Sequence, residues 1–80
     1  MRTIDHIIIH CSATREGSSL SVEELEKIHR RRGFRGIGYH YYIRRDGTVT
    51  NTRPLEVIGA HCKGNNAHSV GICYEGGLDA

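Results

Sequence analysis

Apolar residues recur along this chain with two periods, one of strands and one of a helix. Residues 3–10 read as a strand in which Ile4, Ile8 and His10 share one face with His6, while Ile7 and Ile9 lie on the other. Isoleucine on both faces predicts an interior strand covered on both sides. The polar run 11–17 predicts a loop. His10 therefore stands where a buried strand meets a loop, a common position for functional groups on α/β sheets.

The period then changes. Ser21-Val22-Glu23-Glu24 is a capping box, and Leu20 with Leu25 forms the matching hydrophobic staple. The helix predicted from these signals runs from 22 to about 32, with Val22, Leu25, Ile28 and His29 on its apolar stripe. Its acidic residues lead and its basic residues trail, which suits the helix dipole. Gly33 is placed to end it. Residues 38–44 predict a tyrosine-rich strand in which Tyr39 and Tyr41 point one way and His40 and Tyr42 the other. Asp46-Gly47 is a hairpin signal, residues 48–52 form the returning strand, and Pro54 ends it. Lys63-Gly64-Asn65-Asn66 is rich in turn formers, residues 69–74 read as a further strand, and Gly76-Gly77 breaks it. The pattern is that of an α/β domain with about four strands and one helix. One helix covers one face of a sheet, yet the first strand asks for cover on both.

Composition narrows the function classes. The chain has 80 residues and a mass of 9.0 kDa, enough for a single domain. Apolar residues make up 38%, with no Trp and one Phe, a thin supply for an independent core. No apolar run approaches the roughly 20 residues that span a bilayer, and the opening segment lacks a secretory apolar region. The net charge of +2 is too small to make nucleic acid the default partner, although Arg30, Arg31, Arg32, Arg35, Arg44 and Arg45 with four Tyr define that rival. Three cysteines, Cys11, Cys62 and Cys73, are an odd count for a disulfide framework and predict buried thiols, one per strand.

Six histidines are many for this length. A neutral imidazole at the end of a rigid strand, as at His10, is a good zinc ligand; the plainer alternative is a satisfied core histidine. A Tyr hydroxyl in Gly38-Tyr39-His40-Tyr41-Tyr42 could orient a metal-bound water or donate to a developing oxyanion, whereas Tyr also simply favours strands. His61 follows the small-residue turn Gly59-Ala60, and His29 lies on the apolar helix face; taken singly, each reads as packing.

Taken together, the segments resemble a known family. Ile8-Ile9-His10-Cys11-Ser12-Ala13-Thr14 is similar to the opening motif of the zinc-dependent N-acetylmuramoyl-L-alanine amidases, a superfamily that includes phage lysozyme-type amidases and peptidoglycan recognition proteins. Ile37-Gly38-Tyr39-His40-Tyr41, Asp46-Gly47-Thr48-Val49, Gly59 to Asn66, and Ser69 to Cys73 with Gly76-Gly77 resemble its later motifs in the same order. The resemblance implies a mixed central β-sheet with flanking helices and zinc-assisted hydrolysis of the amide between the lactyl group of N-acetylmuramic acid and L-alanine. It implies His10 as the first zinc ligand, Tyr39 as the catalytic tyrosine, and His61 and His29 as residues of the substrate groove. Asn65 and Asn66 would lie in a loop bordering that groove. In the family, the remaining zinc ligands, a nearby Lys and a covering helix come from a C-terminal segment, which the resemblance would place beyond Ala80. The expectation is therefore one incomplete amidase domain over residues 1–80. Alone it would be inactive and bind Zn2+ weakly, and self-association or a complementing fragment would complete it. A non-catalytic module that binds peptidoglycan or muropeptides is the alternative.

Overall fold

The computed structural model describes residues 2–15 and 17–78. Strand β1 is His6–Cys11, β2 Thr14–Arg15, β3 Tyr41–Ile43, β4 Val49–Asn51, β5 Ser69–Tyr74 and β6 Gly77–Leu78. The helix α1 is Val22–Arg31, and a single 3-10 turn, Asn66–His68, precedes β5. The main sheet has the order β1-β5-β3-β4, with β1 and β3 both parallel to β5 and β4 antiparallel to β3. Strands β2 and β6 pair separately in a two-stranded parallel ribbon.

Local signals account for α1. Ser21 Oγ accepts from the Glu24 amide at 3.2 Å, and Glu24 Oε1 accepts from the Ser21 amide at 3.1 Å, so the capping box forms. At the other end Gly33 takes φ 91°, which lets its amide donate to the Arg30 carbonyl and the Phe34 amide to that of His29. This Schellman closure stands Phe34 edge-on against His29, with ring centroids 5.4 Å apart. The hairpin is equally local: Gly47 has φ 90°, and Asp46 Oδ1 accepts from the Thr48 amide.

The core is small. Leu25, Ile37, Tyr42 and Cys73 are buried, with Leu20, Val22 and Tyr39 packed on them. In register, His10 pairs with Cys73 and Cys73 with Tyr42, so these three side chains share the face under α1.

Three expectations change. First, β1 is an edge strand with one open face: Ile7 and Ile9 are 68% and 67% exposed. Second, Tyr39 does not share the face of Tyr41. Residues 38–40 bend instead of continuing the strand, which breaks the two-residue alternation and turns Tyr39 into the core beside Tyr42. The close approach of Gly38 to Ala60 marks this bend: a Cβ on Gly38 would lie 2.2 Å from the Ala60 carbonyl oxygen. Third, only Cys73 is a buried thiol; Cys11 is exposed and Cys62 half-buried. The loop predicted at 11–17 also holds strand β2.

Candidate functional site

Four of the predicted residues converge where the ends of β1 and α1 meet the segments before β3 and β5. His10 comes from β1, His29 from the last turn of α1, Tyr39 from the bend before β3, and His61 from the loop after Gly59-Ala60. The His10 ring lies 5.2 Å from that of Tyr39 and 5.1 Å from that of His61; His29 stands 5.2 Å from Tyr39. His10 Nε2 and His61 Nδ1 are 3.0 Å apart. Beside them opens a cavity of about 480 Å3, lined in part by His29, Phe34, Tyr39 and His61, with the cations Arg32 and Lys63. A larger concavity of about 600 Å3 lies between α1 and the chain around β4 and includes none of the predicted site residues.

Each side chain is held by identifiable partners. The buried His29 accepts from the Gly38 amide through Nδ1 at 2.8 Å, so it fixes the bend that presents Tyr39. Asn66 Oδ1 accepts from the amides of both His61 and Cys62, at 3.0 and 2.9 Å. Asn66 thus anchors the His61 loop while also lining the cavity. His61 lies against bare backbone: a Cβ on Gly71 would meet its ring at 2.6 Å, and one on Gly59 at 2.5 Å. Its Nε2 lies 3.3 Å from Ser69 Oγ.

Burial governs the electrostatics of the cluster. Burial pulls His61 down to about 4, helped by the neighbouring His10 and His40. Burial also lowers His29 and His40. Tyr39 is pushed up to about 12 by burial and then by the adjacent Cys73 thiol. At neutral pH its hydroxyl therefore keeps its proton and acts as a donor.

Three supports of this cluster have no signal in the sequence. His40 is fully buried; its Nδ1 accepts from the Gly71 amide and its Nε2 lies 2.7 Å from the Val57 carbonyl oxygen. Ser69 is fully buried beside His61. Arg2, unremarkable in the sequence, bonds the carbonyls of Leu55, Asn66 and Ala67 and so ties the His61 loop to the chain start.

A zinc centre needs at least three protein ligands. Among the described residues no three His, Cys, Asp or Glu side chains gather around one point. The described residues therefore do not fit a zinc centre by themselves.

Residues 1–79 match the family model described as N-acetylmuramoyl-L-alanine amidase. The endolysin of Klebsiella phage KP32 is 46% identical over 74 residues, which is 92% of this chain and 49% of that protein. The solved structure of N-acetylmuramoyl-L-alanine amidase LysC from Clostridium intestinale superposes with a TM-score of 0.85 at 37% identity, over 94% of this chain and 48% of that one. A point mutant of Drosophila PGRP-LB, solved in complex with tracheal cytotoxin, superposes with a TM-score of 0.82 at 28% identity, over 95% and 49%. The chain spans about half the length of the relatives it matches.

Proposed function

The chain belongs to the N-acetylmuramoyl-L-alanine amidase family, and from that premise we propose that it carries the substrate-contacting part of a peptidoglycan amidase. The bond cleaved would be the amide between the lactyl group of N-acetylmuramic acid and L-alanine. The observation that carries this reading is that Tyr39 and His61 line one cavity with the His10 ring packed against both, in a chain matched to the family over residues 1–79.

In this reading the chain's own residues do three things. The Tyr39 hydroxyl, protonated at neutral pH, donates to the carbonyl oxygen of the scissile amide as charge develops there; one such donor is worth about 3 kcal/mol of barrier. Arg32 and Lys63 at the cavity attract the carboxylates of a stem peptide. His29 and Asn66 hold Tyr39 and His61 in place through the backbone of Gly38 and of the His61 loop. Zinc is proposed only to the extent that His10 supplies one ligand; bound metal would polarise the carbonyl and activate water. The described residues do not complete its site.

That incomplete donor set also favours a second reading, a module that binds muropeptides without cleaving them. Sedimentation with purified insoluble peptidoglycan separates the two when the supernatant is assayed by mass spectrometry for peptides with a new L-alanine amino terminus. Retention with release supports the amidase. Retention without release supports the module, and a chain left wholly in the supernatant overturns both.

A further inference from the structure

The His10–His61 contact does not end at His61. Ser69 Oγ lies 2.7 Å from the Asn65 carbonyl oxygen and 3.3 Å from His61 Nε2. A carbonyl only accepts, so the single hydroxyl proton of Ser69 goes to Asn65. Ser69 Oγ is then left as an acceptor, and the group that faces it must donate: His61 Nε2 carries a hydrogen. In a neutral imidazole the other nitrogen is bare. His61 Nδ1 therefore accepts, and the proton in its contact with His10 sits on His10 Nε2. One buried hydroxyl thus fixes the direction of every bond back to β1.

We propose that Ser69 is a positioning residue that sets the ring-nitrogen protonation pattern of His61 and, through it, of His10. The direction of the chain is His10 Nε2–H to His61 Nδ1, His61 Nε2–H to Ser69 Oγ, and Ser69 O–H to the Asn65 carbonyl. Its consequence falls on His10: with Nε2 engaged as donor, a neutral His10 has Nδ1 as its one free lone pair.

Two further features hold this arrangement. The His61 ring is seated against Gly71 and Gly59, where a Cβ would intrude at 2.6 and 2.5 Å, so the ring has a single slot. A ring turned over about its Cβ–Cγ bond would set carbon where both nitrogens now meet their partners. The Asn66 side chain fixes the His61 amide, so the backbone cannot rotate to compensate. Ser69 itself is fully buried, with no water-exposed alternative for its hydroxyl. The inference deepens the reading of His10 and His61 as parts of the site.

The test is long-range 1H–15N correlation spectroscopy of the histidine rings in the 15N-labelled chain near neutral pH, which distinguishes protonated from bare ring nitrogens. The expected wild-type pattern is a single His61 species with hydrogen on Nε2 and none on Nδ1. Hydrogen on His61 Nδ1 would overturn the proposal without any variant being made. In Ser69→Ala the single pattern is expected to give way to a mixture of the two neutral forms, and Ser69→Thr to restore it. A Ser69→Ala spectrum in which His61 keeps the wild-type pattern would equally overturn it. These spectra read the ring nitrogens directly, so a failed peptidoglycan assay would sink the functional reading and leave this one standing.

Discussion

At the scale of single residues, the site depends on side chains that are missing as much as on those present. His61 occupies space that a Cβ on Gly71 would need. Gly71 lies within β5 and has no positive φ, so alanine there is acceptable to the backbone and objectionable only to His61. Gly71→Ala is therefore expected to displace the His61 ring, with an overpacking cost of about 1–3 kcal/mol in unfolding free energy. The decisive comparison is with His61→Ala/Gly71→Ala. If the clash is with His61, the second change relieves it, and the double variant loses less than the two single changes added together. Strict additivity in urea unfolding would place the strain elsewhere. Nothing in the local sequence around Gly71 signals this role, because the ring that meets it lies well upstream in the chain and arrives through a loop.

At the scale of elements, Glu75 joins three of them. Its carboxylate accepts from the Leu20 amide before α1 at 2.6 Å, from the Arg44 guanidinium at 3.1 and 3.3 Å, and from the Arg45 amide in the hairpin. The Arg44 bonds and the two amides hold Glu75 down at about 2. Glu75→Gln keeps the shape and removes the charge, leaving Arg44 half-sheltered without its partner. A loss of about 2 kcal/mol in unfolding free energy is expected, measured by urea denaturation; a change below about 0.5 kcal/mol would show that the hub is solvated. The contrast with α1 explains what the sequence revealed. The capping box, the Gly33 closure and the Asp46-Gly47 turn act over a few neighbouring residues, and each was legible. Glu75 and Leu20 are 55 residues apart, and no local pattern announces their bond. Sheet order is non-local in the same way, so no local pattern marks β1 as an edge strand. Strict alternation puts Tyr39 on the face of Tyr41 only for a regular strand, and residues 38–40 are not one. His10, His29, Tyr39 and His61, which lie together in the structure, are singled out as a group only by the family resemblance; their individual contexts read equally well as packing.

At the scale of the whole molecule, two features set stability: a few groups whose charge state is fixed by folding, and a sheet covered on one side. The folded value of His61, about 4, lies below the ordinary 6.5, so the unfolded chain binds more protons between those limits. Its contribution is whole above pH 6.5 and lost as pH falls toward 4. Glu75 follows at lower pH, since its stabilisation is whole above 4.5 and lost as pH falls toward 2. The thermal midpoint is expected to decline through both windows, and His61→Gln to make only the upper decline shallower, because the lowered His29 and His40 also contribute to it. The open face supplies the other test. Register places Ile7, Ile9, Val70, Ile72 and Tyr74 on the side away from α1, with Val49 continuing the row on β4. Among them Ile7, Ile9, Val49 and Tyr74 are exposed. An exposed strand position gains little from its side chain, and threonine keeps the β-branch that suits a strand. If the face is open to water, Ile9→Thr changes unfolding free energy by less than about 0.5 kcal/mol. If a second copy or another segment of polypeptide covers it, the same change deletes buried apolar surface and sets a hydroxyl without a partner in its place, at about 2 kcal/mol or more. Urea denaturation at two protein concentrations distinguishes these cases, because cover by a second copy makes the midpoint rise with concentration and an open face leaves it fixed.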